Sequence, residues 1–199
     1  AVLMLLALLQ ACGGGGGGDD TSNSDASAAA PAPPSAAASP APAASAPTGS
    51  TPVADTTCGL ADFEADALRI VNQQRAAGAS CGARGDFAPA AALTWNARLG
   101  TAAYGHSRDM ADNNYFSHDS LDGRSMADRI NATGYAWSTI GENIAAGYNS
   151  VQSVVSGWRA SDGHCANLMN PRFTEFAVAC ARNDASQYRI YWTQNLGRP

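Results

Sequence analysis

Tyr115-Phe116-Ser117-His118, Gly141-Glu142-Asn143-Ile144-Ala145 and Trp158-Arg159-Ala160-Ser161-Asp162-Gly163-His164 fall within one run, 115–171, that concentrates the chemistry of this chain. The whole sequence has three His and three Glu, and this run holds two of those His, His118 and His164, and one Glu, Glu142. Each stands in a segment bearing Gly, Ser or Asn, which reads as a loop or an element end. Scarce ionisable residues gathered at turn positions point to a site. Neutral imidazoles can share a divalent cation, and a carboxylate can join the coordination, orient a ring or act as base on a bound water.

Downstream of the run the hydrophobic period changes to two. Phe173 to Ala181 and Tyr188 to Leu196 read as antiparallel strands joined by a polar turn, Arg182 to Gln187. Upstream, Leu60 to Ala77 places Leu60, Phe63, Ala67, Ile70 and Val71 at helical spacing, with acids near its start, Arg75 near its end and Gly78 as the stop. Pro89 to Asn113 reads as a second helix with a stripe of Trp95, Leu99, Ala103, His106 and Met110. Gly123 to Thr133, with Met126 and Ile130 inward, and Ser150 to Ala160, burying Val151, Val154, Val155 and Trp158, read as two more. Helices followed by strands predict an α+β fold.

The first nine residues are all apolar and lead into Leu9-Gln10-Ala11-Cys12, so 1–12 reads as the hydrophobic part of a secretion signal, too short to span a bilayer. The Leu-x-Ala-Cys ending resembles the lipobox of bacterial lipoproteins, which predicts an acylated Cys12 and a membrane anchor. Gly13 in place of an Asp after that cysteine points to the outer membrane of the bacterial envelope. Residues 13–57 are mostly Gly, Ala, Pro, Ser and Thr, with four Asp, no base, no aromatic residue, Val53 as the only large aliphatic one and seven of the ten prolines, a composition that cannot bury enough apolar area to order itself. They read as a disordered spacer. The net charge of -5 thus divides into -4 here and -1 in 58–199, where twelve Arg are scattered singly and Lys is absent. A basic nucleic-acid footprint is excluded.

From Cys58 onward 142 residues remain, enough for one domain with a substantial core. Setting Cys12 aside leaves four cysteines in an exported chain, hence two disulfides. A helix of about 18 residues spans about 27 Å, so Cys58 with Cys81 is strained, and Cys165 with Cys180 would have to bridge most of a strand. The preferred pairs are Cys81 with Cys165 and Cys58 with Cys180. The crossed pairing, Cys58 with Cys165 and Cys81 with Cys180, stays open.

Phe116-Ser117-His118-Asp119, Gly141-Glu142-Asn143-Ile144-Ala145, the Trp158 to His164 segment and Tyr191-Trp192-Thr193-Gln194-Asn195-Leu196-Gly197 occur in an order that resembles the bacterial branch of the SCP/CAP superfamily, the cysteine-rich secretory, antigen 5 and pathogenesis-related proteins. The resemblance covers about residues 60–197. It implies an α-β-α sandwich with a further short strand near Ile140 to Ala145, and bacterial members often carry the pair that matches Cys81 and Cys165.

The family's cleft is lined by two His and two acids, and three of these positions match here as His118, Glu142 and His164. The fourth, a Glu three residues after the helix Trp in eukaryotic members, is Ser161. Glu175, at the start of the first strand, is the candidate replacement, since bacterial relatives tend to carry an acid there. The cleft residues expected are His118, Glu142, Asn143, His164 and Glu175, with His118 and His164 as ligands of Zn²⁺ or another divalent cation and Glu142 behind them. The same residues also read as a purely structural hydrogen-bond network, Glu175 as a solvated strand residue, and His106 as a core histidine. Three function classes follow: a binding domain taking a cation and a small or lipid-like ligand, a metal-assisted or His/Glu hydrolase acting on peptide or envelope material with His118, Glu142, His164 and Glu175 as its catalytic candidates, and a cell-surface interaction module. A Glu175 facing the cleft favours the hydrolase, because acid/base work needs the second carboxylate. No G-x-S-x-G is present to support a serine nucleophile.

Overall fold

A computed structural model describes residues 55–199. The apolar leader, Cys12 and the spacer through residue 54 lie outside the described residues. Helix α1, Phe63–Ala77, buries Phe63, Ala67, Ile70 and Val71 and ends at Gly78, whose φ of 71° suits a residue without a Cβ. Two short strands, β1 (Ala79–Ser80) and β2 (Asp86–Phe87), pair around a turn that carries Cys81.

The segment after Pro89 departs from expectation. It runs extended and forms strand β3, Thr94–Trp95, and helix α2 begins only at Ala97 and continues to Asn113. Asn96 decides the boundary, because its side chain accepts from the amides of Arg98 and Leu99 and so satisfies the first helical donors. The backbone just before it pairs with the sheet instead, Thr94 N donating to Thr174 O and Asn96 N to Phe176 O. A proline compatible with a first helical turn is weaker than a ladder followed by a cap.

Helix α3, Met126–Ala132, opens on a capping box between Ser125 and Asp128. Strand β4, Thr139–Ala146, is eight residues long where a short strand was expected. Helix α4, Val151–Arg159, starts on a second capping box from Ser150. The segment read as a loop around His164 is in fact helix α5, Asp162–Met169, and strands β5, Glu175–Arg182, and β6, Ile190–Arg198, close the chain.

The main sheet has the order β3-β5-β6-β4, with β3 parallel to β5 and the other pairs antiparallel. Phe63, Ile70 and Val71 of α1, Val154, Val155 and Trp158 of α4 and Leu168 of α5 pack with Phe176, Val178 and Trp192 on one face. Leu99 and Ala102 of α2 and Ile130 of α3 cover Ala177 on the other, and Met110 and Ala111 of α2 cover Ile144, Ala181 and Tyr191. This is the α-β-α sandwich the resemblance implies.

Both preferred disulfides form, Cys58–Cys180 with Cα atoms 5.8 Å apart and Cys81–Cys165 with Cα atoms 5.5 Å apart. Thr56 and Thr57, assigned by composition to the spacer, are part of the fold: Cys180 N donates to Thr56 O, and Thr57 forms a parallel bridge with Cys180. Arg75 is fully buried and meets no carboxylate among the described residues. Its guanidinium donates to the carbonyls of Ala91, Leu168, Asn170 and Phe173, tying α1 to the end of α5 and to the approach to β5.

Candidate functional site

Glu142 is the fourth residue of β4, and its carboxylate is nearly inaccessible to solvent. Arg129 of α3 donates from Nη2 to Glu142 Oε2 at 2.8 Å, and His118 donates from Nδ1 to Oε1 at 2.8 Å. Burial pushes the Glu142 carboxyl up, but the His118 hydrogen bond and the Arg129 charge outweigh it and hold the group below the ordinary carboxylate range. Because an ionised carboxylate can only accept, Nδ1 carries a proton, and in the neutral form of this half-exposed ring the lone pair is on Nε2. Arg129 also fixes the His118 backbone, donating to its carbonyl at 2.9 Å.

His164 lies on α5, on the other side of β4, and its ring makes no hydrogen bond among the described residues. Partial burial depresses its pKa, and the nearby His118 charge depresses it further. The ring therefore stays neutral to lower pH than an ordinary histidine, which suits a ligand. An amide network holds α5 against β4. Asn143 donates to His164 O and to Gln194 Oε1, and Asn167 donates to Glu142 O and Asn143 Oδ1. Asn143 thus ties a strand to a helix from within β4.

Beside His164 opens a groove of about 330 Å³, lined by Phe116, Tyr148, Trp158, Ser161, Tyr188 and the end of β4. Its walls are mostly apolar, with His164 and Ser161 as polar points. Gly157 shapes it, since a Cβ there would overlap the Tyr148 hydroxyl. Phe116 and Tyr188 are both more than two-fifths exposed and meet edge to face, with centroids 6.0 Å apart. A second recess of about 320 Å³, lined by His118, Asp119, Ser125, Met126 and Glu142, lies on the α3 side.

Glu175 does not join this group. It sits opposite Gly197, two strands across the sheet from Glu142 and two residues along, and its Oε2 accepts from Tyr135 Oη at 2.7 Å and Asn96 Nδ2 at 3.1 Å. The carboxylate locks the starts of α2 and β5 to Tyr135, three residues beyond α3. Burial and the same hydrogen bond push the Tyr135 hydroxyl well above its usual pKa. His106 is fully buried, as a core histidine should be, with Nε2 donating to Ser117 O at 2.9 Å. Desolvation lowers its pKa against the opposing pull of Glu142.

Arg129, Asn167 and Gln194 were not visible as site residues from sequence. The one available signal was for Arg129, an arginine beside Ile130 and three residues after Met126, on the inward side of its helix. Among the described residues no three His, Cys, Asp or Glu side chains are grouped to hold a metal ion.

Comparison with known proteins places the fold. The chain is 38% identical to "Uncharacterized membrane protein YlbC" of Bacillus subtilis (strain 168) over 106 residues, 53% of this chain and 29% of that protein. It is 31% identical to "Uncharacterized protein YkwD" of the same organism over 159 residues, 80% of this chain and 55% of that one. The chain thus spans between about a third and about half the length of these curated relatives. Among solved structures it is similar to an outer surface protein from Borrelia burgdorferi, with a TM-score of 0.50 and 18% identity over 55% of this chain and 79% of that one, a likeness of fold. A family profile described as "Cysteine-rich secretory protein family" matches residues 68–196, from within α1 to within β6, and takes in Arg129 along with His118, Glu142 and His164. By that match over well over half of its length, the chain belongs to the cysteine-rich secretory protein family.

Proposed function

We propose that this chain is an extracytoplasmic binding domain whose cleft holds a divalent cation between His118 and His164 and a small, largely apolar ligand in the adjoining aromatic groove. The observation that carries the reading is the setting of His118: Arg129 pins Glu142, Glu142 accepts the Nδ1–H hydrogen bond, and in the neutral ring Nε2 is left as a lone-pair donor. This is the carboxylate–histidine arrangement that orients metal-binding imidazoles. His164, neutral and without a hydrogen bond to its ring among the described residues, supplies the second donor.

Two imidazoles with no third protein ligand grouped beside them among the described residues fit a modest, water-completed site rather than the three-ligand zinc sites of hydrolases. When bound, the ion would supply Lewis acidity to whatever sits in the groove. Glu175, engaged by Tyr135 and Asn96, offers no second carboxylate for acid/base work. The binding reading is therefore preferred to the hydrolase. The groove's size and its few polar points support a small ligand with one polar end. Two disulfides support an oxidising compartment, and we place the domain in the bacterial envelope, anchored through an acylated Cys12.

Zinc titration of the purified chain tests the site. Affinity should fall as pH drops through the imidazole range, since protons compete for the neutral rings. His118→Ala or His164→Ala should remove most of the binding, and Glu142→Gln should weaken it roughly 10–100-fold with the fold intact. If all three variants bind zinc like the parent yet melt earlier, the group is a structural network and the cation reading is wrong.

A further inference from the structure

Strand β4 is an outer strand of the main sheet, with β6 as its one neighbour among the described residues. Just past its end Gly147 N donates to Ile190 O, which sets the phase of the ladder. Gly141, Asn143 and Ala145 exchange hydrogen bonds with β6, and the backbone groups of Glu142, Ile144 and Ala146 point outward. Two of the outward carbonyls are capped by side chains, Glu142 O by Asn167 and Ile144 O by the Trp158 indole. Among the described residues no donor reaches Ala146 O, and no acceptor reaches the amides of Ile144 and Ala146.

Those open groups border the groove beside His164. The groove touches Ile144, whose side chain packs in the α2 layer, and Ala145, whose side chain packs in the α4 layer, so it straddles the strand edge rather than lying over one face. Its walls agree. Phe116 and Tyr188 stand on the α2 side, where Tyr188 meets Tyr191, and Tyr148 and Trp158 stand on the α4 side. An outer strand is ordinarily blunted by a charge, a proline or a bulge. Ile144-Ala145-Ala146 carries no charge or proline, and its register against β6 is unbroken.

We propose that this end of β4 is a docking edge for an extended peptide, which joins the sheet as a further strand and lays apolar side chains into the groove. A peptide backbone presents carbonyls to the Ile144 and Ala146 amides and an amide to Ala146 O, partners that an alkyl chain lacks. Successive side chains of a strand point to opposite faces, and here each face meets an aromatic wall. Pairing is fullest at Ala146, whose N–H and C=O are both open, because Trp158 already holds Ile144 O. The proposal names the ligand class of the groove and rests on that part of the proposed function, not on the cation.

The experiment is an NMR titration of the full ¹⁵N-labelled chain with the capped pentapeptide acetyl-Ala-Val-Phe-Ala-Val-amide, with its singly N-methylated versions, and with sodium hexanoate as an apolar probe without a peptide backbone. The Ile144 and Ala146 amide signals should move saturably with the peptide, and their hydrogen exchange should slow. N-methylation should weaken binding roughly tenfold at alternate residues and change it little at those between, since only every second amide of a strand faces its neighbour. Ala146→Pro removes one open amide where an outer strand tolerates proline, and it should lower peptide affinity roughly tenfold with the circular dichroism of the parent. If that variant misfolds, the methylation series decides alone. Full affinity in folded Ala146→Pro, or equal loss at every methylated position or at none, overturns the proposal. Hexanoate moving the Phe116 and Tyr188 signals while the peptide moves nothing overturns it too and leaves an apolar groove; silence from both probes overturns the groove reading as well. Ile144 and Ala146 signals that follow protein concentration alone would give the edge to a second copy of the chain, and the proposal falls.

Discussion

A carboxylate as inaccessible as that of Glu142 survives in the fold only through its partners. Arg129→Met would leave that charge buried beside a half-exposed imidazole, and breaking such a pair costs about 3–5 kcal/mol. Glu142→Gln keeps an acceptor for Arg129 and should cost clearly less, so chemical denaturation of the two variants should rank them in that order. A reversed ranking would mean that Arg129, not Glu142, is the group the fold can spare. Acid should weaken the fold in two windows. His106 and His164 have folded pKa values below the ordinary 6.5, so the unfolded chain binds protons first, and stability declines as pH falls from that value toward their folded pKa values. Glu142 is depressed below 4.5, so its contribution is present above that pH and is lost as pH falls through its folded value. A melting temperature flat between neutrality and pH 5 would contradict the first window. His118, Glu142 and His164 stood out because His and Glu are rare in this chain, but the turn positions read for them do not hold for Glu142, inside β4, or for His164, inside α5. Arg129 did not stand out, because one arginine among twelve carries no mark until the fold sets it behind Glu142. Glu175 misled for the converse reason: it is scarce, but its rung and strand in the sheet keep it away from the histidines.

At the level of elements, periodicity found α1, α3, α4 and both long antiparallel strands, since each buries an uninterrupted stripe. It failed where pattern and partner disagree. The extended segment before α2 looks like a helix start until β5 pairs with it, and α5 carries Asp162 and Gly163 in its first turn and is held by Cys165 and by buried Leu168 and Met169. Arg75 is a further device that no local pattern reveals. Its fork satisfies carbonyls from three separate segments, and a methionine of similar reach would leave several of them buried and unpaired, at about 1–3 kcal/mol each. Arg75→Met should therefore lower the melting temperature strongly, and Arg75→Lys, which cannot fork, should recover only part of the loss. Full recovery by lysine would show that one hydrogen bond, rather than the fork, matters. The edge of the fold gives a sharper test of boundaries. Deleting residues 1–54 should leave the melting temperature nearly unchanged, whereas deleting 1–57 should lower it, because Thr56 and Thr57 pair with Cys180. Equal melting of the two truncations would return those threonines to the spacer.

Across the whole molecule the two disulfides close long stretches of chain, 122 and 84 residues apart in sequence, Cys58–Cys180 tying the segment before α1 to β5 and Cys81–Cys165 tying the turn between β1 and β2 to α5. Membrane attachment is a separate question from stability. Among the described residues no helix is long and apolar enough to cross a membrane. The attachment we propose rests on Cys12, where the Leu9-Gln10-Ala11-Cys12 ending resembles a bacterial lipobox and two or more acyl chains would make a stable anchor. Between that cysteine and Asp55 lie 42 residues, which would reach about 130 Å if fully polyproline-like and about 35 Å as a flexible coil. Either length lets the cleft of the domain stand clear of the lipid surface. On fractionation of cells expressing the chain, the parent protein should sediment with membranes, and Cys12→Ala should appear in the soluble fraction with its disulfides and melting temperature intact. A Cys12→Ala protein that still sediments with membranes would place the anchor elsewhere in the chain. An altered melting temperature would mean that the leader contributes to the fold, contrary to its composition.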